Sequence, residues 1–300
     1  MEKFFICMMK ISVLIPTYNR RDWLLKTLNC VGSQTYQNFE VIIVDASQPE
    51  DQLNDAELLL YSFQIKYLRY GILGNVSKQR NIALKEATGD ILLFLDDDVT
   101  FDKNLFLNYQ KLFSGGKYEA ISGLVETEKF KRGSGPIRNL TNRFLDIGRE
   151  NYQPCDFEIK SYVICTANFA LLRKVYEQVG GFDEKIYGVF DDVDYGFTLE
   201  RFDISVVHHP EVAVYHHQTK ANGARSSALP PWWFYYNISY FQLKNRNLNA
   251  ISFFIIVSWQ MIKPSGSWLV PKKLVVNYKN FINGFFRARK SVFLGEQSVL

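Results

Sequence analysis

Residues 90–98 read D-I-L-L-F-L-D-D-D, so that five apolar residues lead directly into three consecutive aspartates. A short run that is apolar at every position is typical of a strand buried on both faces, as in the centre of a parallel sheet. Ligands of open sheets bind outside the carboxyl ends of such strands. The stretch therefore predicts a central strand that brings Asp96, Asp97 and Asp98 to a binding edge.

The segments before this stretch alternate between strand-like and helix-like patterns. Residues 10–16 and 39–44 are apolar, β-branched runs, and apolar side chains recur at helical spacing between them. A third strand is predicted at residues 65–70 and a helix at residues 77–87, which Gly89 ends in a C-cap position. This alternation indicates an α/β fold with a mostly parallel central sheet flanked by helices.

The second half of the chain has a less regular pattern. Its predicted elements are a loop at 131–136, a strand-to-helix unit at 161–179 that ends at Gly180 and Gly181, a helix at 191–201, and short strands at 204–207 and 212–215. From residue 232 onward we expect mostly helix. The C-terminal part therefore forms a helical extension beside the sheet.

Composition and charge exclude several classes of protein. A chain of 300 residues with 47% hydrophobic content can bury one large core. The net charge of +4 is too small to indicate nucleic-acid binding. The 4 cysteines form no C-x-x-C pair, which argues against structural zinc and disulfides and suits a reducing compartment. Because no signal peptide is recognisable, we expect a cytoplasmic protein.

The C-terminal tail is basic and aromatic. The longest apolar run, residues 250–262, is shorter than the roughly 20 residues that a membrane span needs. Beyond it, seven lysines and arginines stand against Glu296 alone. The tail could lie as a peripheral contact on the anionic inner face of the cell membrane. Alternatively, it could be a solvated basic surface with its aromatic residues packed inward, or a contact in a homo-oligomer.

Two acidic clusters could share one chemical task. The carboxylates of residues 96–98 are hard oxygen ligands that could hold Mg²⁺ or Mn²⁺ against a diphosphate, although an acidic turn or helix cap has the same composition. Asp191, Asp192 and Asp194 open a predicted helix, where the helix dipole alone favours acids. A carboxylate across a cleft from a metal would also suit a general base.

Histidines supply further candidate ligands. All 4 lie within ten positions, as His208-His209 and His216-His217, on either side of a predicted short strand. A neutral imidazole at such a strand end could complete the coordination of a metal. We expect this of one residue of the second pair, whereas a lone histidine is more often a packed or surface residue.

Polar residues on other segments are candidates for the same edge. Thr17 and Asp45 follow the first two predicted strands. Arg80 and Asn81 lie on the helix before the central strand and could bind a base or a phosphate. The alternative for this pair is an exposed helical face.

Four segments share their order and spacing with a known family. They are S-V-L-I-P-T-Y-N-R at 12–20, V-I-I-V-D-A-S at 41–47, Q-R-N-I-A-L-K-E-A-T-G-D-I-L-L-F-L-D-D-D at 79–98, and G-G-F-D-E with D-D-V-D between 180 and 194. In combination they resemble glycosyltransferase family 2 of the GT-A fold, over about residues 11–217. The resemblance is loose beyond residue 232.

The resemblance implies roles for the donor-side residues. Thr17 and Asp45 match contacts to the nucleobase, and Arg80 matches a contact to the base or diphosphate. The acidic triplet matches a D-x-D motif, which implies that Asp96 approaches the donor ribose and that Asp98 holds the divalent metal. Asp97 is then the variable middle position, which we expect to be dispensable.

The remaining roles concern the acceptor side and the metal. Asp191-Asp192 matches the Glu-Asp pair of the family, which makes Asp192 the candidate base, and His216 or His217 matches a histidine near the metal. Ala46 replaces a second acid that is usual after Asp45. Because Asp191 replaces the glutamate, Asp191 and Asp192 could exchange roles.

The resemblance implies a metal-dependent, inverting hexosyltransferase with Mn²⁺ or Mg²⁺ as cofactor. The donor would be a nucleoside-diphosphate-sugar and the acceptor a saccharide or lipid-linked saccharide, in synthesis of a bacterial cell-surface polysaccharide or glycan. Residues 1–230 would form the GT-A catalytic domain and residues 231–300 the helical extension.

Three alternatives remain. A sugar-nucleotide pyrophosphorylase would need a glycine-rich loop after the first strand, where this chain has P-T-Y-N at residues 16–19. A phosphoacceptor receiver module with bound Mg²⁺ would be much shorter and would leave the second acidic cluster without a role. An inactive sugar-binding relative would keep the fold without turnover.

Overall fold

The fold is built on one mixed β-sheet. A computed structural model describes residues 8–71, 75–128, 159–161, 164–186, 188, 190–217, 232–245 and 271–293. The predictions for residues 131–136 and 250–262, and the domain boundary at residue 230, lie outside these ranges. Within them, no helix combines the length and hydropathy needed to cross a membrane.

The described strands form one sheet in the order β3-β2-β1-β4-β8-β6-β9-β5, with β7 beside β9. They are β1 Ile11–Thr17, β2 Phe39–Asp45, β3 Ile65–Arg69, β4 Ile91–Leu95, β5 Val99–Phe101, β6 Ala120–Glu126, β7 Ile159–Ser161, β8 Asn168–Leu172 and β9 Val206–His216. The strands from β3 to β4 are parallel, and β8 runs antiparallel between β4 and β6. The predicted α/β fold with a mostly parallel sheet and helical C-terminal region is confirmed, and it includes some antiparallel strands.

Helices cover both faces of the sheet. They are α1 Arg21–Gly32, α2 Asp55–Leu58, α3 Val76–Glu86, α4 Leu105–Ser114, α5 Arg173–Val179, α6 Asp191–Arg201, α7 Trp233–Asn245 and α8 Pro271–Phe293. Side chains of β1 alternate between the two faces, as strand geometry requires. Ile11, Val13 and Ile15 pack with α1 and α4, whereas Leu14 packs with α3, α5 and α6. This two-sided burial explains why β1, β2 and β4 are apolar at nearly every position.

The two C-terminal helices pack against each other. A third apolar cluster joins Tyr236 and Tyr240 of α7 to the buried face of α8 around Phe281. The same cluster includes Phe190, the residue before α6. The extension therefore contacts the sheet domain close to the first turn of α6.

Two local predictions were wrong. The helix α3 ends because Ala87 takes an extended backbone, and Gly89 does not cap it. Gly89 is instead required because a Cβ there would lie 2.6 Å from the Ser12 nitrogen. The two short strands predicted at 204–207 and 212–215 are one strand, β9, whose pairing with β6 shifts register after Gly123.

A buried carboxylate, Glu40, lies near the amino end of β2, at the edge of the sheet opposite to the acidic triplet. Glu40, 5% exposed, accepts hydrogen bonds from Ser12 Oγ, Thr88 N, Thr88 Oγ1 and Lys10 Nζ at 2.6 to 2.9 Å. Burial alone would raise the pKa of Glu40, but these hydrogen bonds outweigh it and lower the pKa from 4.5 to about 2. A lowered pKa stabilises the folded chain fully above pH 4.5, and that stabilisation disappears as the pH falls through 2.

We expect Glu40→Gln to destabilise the protein by about 3 kcal/mol at pH 7, because the shift of the pKa is lost with the charge. Urea unfolding of the variant and the wild type should give midpoints that converge as the pH falls below 4.5. Glu119→Gln, at an exposed pair with Lys174, is the control and should leave the midpoint unchanged. Equal midpoints for Glu40→Gln and wild type at pH 7 would contradict this account.

Candidate active site

Two carboxylates and one imidazole converge at the carboxyl end of β4. One ligand atom each from Asp96, Asp98 and His216 lies within 4.8 Å of the others. His216 Nε2 is 2.9 Å from Asp98 Oδ1 and 3.7 Å from Asp96 Oδ2. The structure therefore brings together three residues that are far apart along the chain.

Strand pairing explains why His216 reaches this position. The aspartates form the turn between β4 and β5, and Val99 of β5 pairs with His216, the last residue of β9. The backbone nitrogen of His217 also donates to the carbonyl oxygen of Asp98 at 3.0 Å. The strand β9, which lies between β6 and β5, thus runs alongside the turn and places its final side chain against Asp98.

The donor set fits a divalent cation. Ligand atoms held at about 2.1 Å from one ion lie within about 4.2 Å of each other, so the cluster needs little movement to close around it. Burial alone would lower the pKa of His216, but its hydrogen bond with Asp98 and the charges of Asp96 and Asp98 raise it. Surroundings that favour a proton on the imidazole also favour a metal cation. Two carboxylates and one imidazole suit Mn²⁺ and accommodate Mg²⁺.

Arg20 was not among the predicted site residues, yet it contacts two carboxylates of the acidic turn. Its Nη1 atom is 3.1 Å from Asp97 Oδ1 and 2.9 Å from Asp98 Oδ2. Thr17 Oγ1 donates to Asp97 Oδ2 at 2.7 Å. Arg20 was visible in the sequence only as the basic residue that follows the P-T-Y-N turn.

Asp97 is buried under the acidic turn and makes contacts that support it. Its residue is only 4% exposed, and burial raises the pKa of Asp97 to about 7 in spite of the neighbouring guanidinium of Arg20. It holds Thr17 and Arg20 in place under the turn. The expectation that Asp97 is dispensable therefore conflicts with its contacts, and its side chain faces the protein interior.

Arg80 connects the cluster of Asp96, Asp98 and His216 to the acidic first turn of α6. Its Nη2 atom is 3.4 Å from Asp96 Oδ1, and its Nη1 atom donates a hydrogen bond to Asp191 at the start of α6. Arg80 and Asp191 are both buried. Burial raises the pKa of the Cys165 thiol to about 12, and the charges of Asp192 and Asp96 add to this effect. Asp192 and Asp96 therefore both lie within electrostatic reach of Cys165.

Thr17 and Asp45 lie side by side at the ends of β1 and β2, where they pair in register. Asp45 accepts from the Ser47 nitrogen at 2.7 Å and from the Tyr67 hydroxyl. Gln79 of α3, which the sequence analysis overlooked, donates to the carbonyl oxygens of Thr17 and Val44. These contacts order the edge where the nucleobase contacts were predicted.

The other predicted residues lie outside this cluster. Both ends of the Asn81 amide are bound to the loop at Phe182 and Glu184. The imidazole ring of His217 contacts Thr100 and the Trp23 ring. His208 and His209 are buried inside β9.

An acidic cluster with one imidazole at the carboxyl edge of a mostly parallel sheet is the arrangement expected of a GT-A glycosyltransferase. The chain belongs to glycosyl transferase family 2, whose sequence profile matches residues 12–180. The sequence predictions of family and fold class are thereby confirmed.

Individual relatives cover smaller parts. The chain is 32% identical over 198 residues to an uncharacterized glycosyltransferase of Rickettsia conorii, a match that covers 59% of this chain and 32% of that protein. It is 34% identical over 99 residues to the poly(ribitol-phosphate) β-N-acetylglucosaminyltransferase TarS of Staphylococcus aureus, covering 32% of this chain and 17% of TarS. The chain thus spans less than a third of the length of these curated relatives.

Solved structures share the fold. Residues 1–349 of S. aureus TarS in complex with UDP-GlcNAc align with a TM-score of 0.62 at 16% identity, covering 96% of this chain and 93% of that one. The mannosyltransferase PcManGT of Pyrobaculum calidifontis, in complex with GDP-Man and Mn²⁺, aligns with a TM-score of 0.57 at 14% identity, covering 96% and 88%.

Proposed function

We propose that the chain is a metal-dependent, inverting glycosyltransferase that moves a hexose from a nucleoside-diphosphate-sugar to an acceptor hydroxyl. The observation that carries the proposal is the cluster of Asp96, Asp98 and His216, which a single arginine links to the acidic first turn of α6. A cation site beside a candidate base suits the displacement of a nucleoside diphosphate by a hydroxyl.

Asp96, Asp98 and His216 would hold Mn²⁺ or Mg²⁺. When bound, the ion supplies positive charge that stabilises the departing diphosphate. Arg20 fixes Asp98 through Oδ2, which leaves Oδ1 on the side of His216. The family assigns Asp96 to the donor ribose, and its position supports a metal contact as well. His217 is left out of the proposed ligands because it contacts Thr100 and Trp23.

Asp192 is the proposed general base. Asp191 is buried and paired with Arg80, so its carboxylate already has a structural partner. Asp192 is only partly buried, which leaves it able to accept a proton. Asp192 would take the proton from the acceptor hydroxyl while that oxygen attacks the anomeric carbon from the face opposite the diphosphate. The product would have inverted stereochemistry, a β-linkage from an α-linked donor.

The nucleotide would lie along the edge formed by β1 and β2. Thr17 and Asp45 stand there, and Arg80 lies between them and α6. Arg80 would contact the base or the diphosphate. The Asn81 side-chain amide is already hydrogen-bonded to the backbone of Phe182. We therefore do not include Asn81 among the contacts to the donor.

The proposed role is synthesis of a bacterial cell-surface polysaccharide or glycan. The similarity to TarS, a poly(ribitol-phosphate) β-N-acetylglucosaminyltransferase, supports this role, with a saccharide or lipid-linked saccharide as acceptor. We propose residues 1–230 as the catalytic domain and residues 231–300 as its extension. A cytoplasmic location, contact with the membrane surface and self-association remain predictions.

A thermal-shift panel tests the proposed function. UDP, GDP, ADP, CDP and dTDP are each added with Mn²⁺, with Mn²⁺ and EDTA, or without metal. The matching nucleotide should raise the melting temperature by several degrees, because a ligand at about 100 times its Kd stabilises the folded state by about 2.7 kcal/mol. The shift should require the metal. No shift with any nucleotide in Mn²⁺ would count against a nucleotide-sugar enzyme.

A further inference from the structure

One partly buried lysine connects the C-terminal helices to the acidic first turn of α6. Lys244, in the last turn of α7, donates from Nζ to Asp183 Oδ2 and to Asp194 Oδ2, each at 2.7 Å. Asn245 donates to Asp194 Oδ1, also at 2.7 Å. Tyr240 donates to Asp183 Oδ2 at 2.9 Å. These contacts lie outside the proposed metal and nucleotide contacts.

Asp194, which accepts hydrogen bonds from Lys244 and Asn245, is buried. Asp194 is 2% exposed, so its carboxylate depends on the protein for its hydrogen bonds. Burial raises the pKa of Asp194, against the effect of Lys244. Without the ammonium group, Asp183 and Asp194 would face each other as two carboxylates without their shared cation. The position of α6 is therefore coupled to the last turn of α7.

The first turn of α6 has a second attachment. Asp191 pairs with Arg80 of α3, and Asp194 pairs with Lys244 of α7. The two aspartates are three residues apart and lie about 60° from each other around the helix. These two ion pairs attach the first turn of α6 to two different helices, α3 and α7. Asp192 lies between the two attached residues in sequence.

We propose that Lys244 is a positioning residue for Asp192. The C-terminal helices would then contribute to the geometry of the proposed active site. This inference rests on the proposed function. Lys244 contacts Asp183 and Asp194 and none of the residues proposed to bind the metal or the donor. It would act on Asp192 through Asp194. Catalytic groups displaced by about 1 Å lose about 100-fold in rate, so loss of this attachment should affect turnover more than binding.

The test compares Lys244→Met with Lys244→Arg in the full chain. The assay is hydrolysis of UDP-GlcNAc and GDP-Man with Mn²⁺, following whichever donor the wild type turns over. We expect Lys244→Met to lower kcat by about 10-fold to 100-fold with donor KM within about threefold of wild type. Lys244→Arg should restore most of kcat, because a guanidinium can bridge both carboxylates. Lys174→Met, at the exposed pair with Glu119, should match wild type.

A double variant separates positioning from folding. Lys244→Met combined with Asp194→Asn removes the lysine without leaving the buried carboxylate charged, so it should fold even if the single variant does not. Low kcat with normal KM in the double variant supports the inference. Wild-type kcat in either variant, or a loss that falls on KM alone, overturns it and leaves the proposed function intact. A wild-type chain that hydrolyses neither donor, and binds no nucleotide with Mn²⁺, overturns both.

Discussion

Asp98→Asn should abolish metal-dependent sugar transfer, with a loss of about 1,000-fold or more in kcat/KM. The Asp98 side chain is 1% exposed and bridges His216 and Arg20, so the substitution removes the most buried charge of the proposed metal site. An amide is a far weaker ligand for a hard cation than a carboxylate. Several kcal/mol of transition-state stabilisation would be lost with the cation.

Two measurements check this result. Transfer or donor hydrolysis is titrated with Mn²⁺, and the metal-dependent thermal shift with the matching nucleotide is recorded for each variant. Asp102→Asn is the matched control, because Asp102 is an exposed aspartate four residues further on. Asp102→Asn should keep the wild-type metal response, and Asp98→Asn should lose it. An Asp98→Asn enzyme with a normal Mn²⁺ titration would exclude Asp98 as a ligand.

Asp192→Asn should lower kcat by about 100-fold to 10,000-fold, the range associated with loss of a general base. Donor KM and the nucleotide-induced thermal shift should stay close to wild type, because the proposed nucleotide and metal contacts lie on other residues. Asparagine has nearly the same shape as aspartate but cannot accept the proton. A loss confined to kcat therefore identifies the chemical step.

Asp191→Asn is the informative comparison for this variant. It removes the partner of the buried Arg80 guanidinium, so it should lower the melting temperature and weaken donor binding. The opposite pattern, with turnover lost in Asp191→Asn at normal donor affinity and retained in Asp192→Asn, would exchange the two roles.

Much of the fold was predictable from local patterns. The continuous apolar run of β4 indicated a central strand, and the helix predicted at 191–201 agrees with α6. Gly180 ends α5 with a φ of 81°, as the glycine pair suggested. Each of these features depends on residues close together in sequence, which is why periodicity and turn residues reveal them.

Long-range pairing escaped the sequence analysis. Nothing local indicates that β8 enters the sheet antiparallel between β4 and β6, because that choice depends on strands far apart along the chain. The sequence predicts two short strands at 204–207 and 212–215, whereas β9 continues through residues 208–211 with a register shift against β6. The close approach of Gly89 to Ser12 likewise depends on residues far apart in sequence.

The sequence by itself determined the family, the sheet edge where the site lies, and the candidate set of carboxylates and histidines. Only the tertiary structure decided which members of that set meet. Successive side chains of a strand point to opposite faces, so the pairing of β9 with β5 decides that His216 and not His217 faces the aspartates. The contacts of Arg20 and Lys244 arise in the same way, since folding brings each of these cations to a pair of carboxylates that lies far from it along the chain.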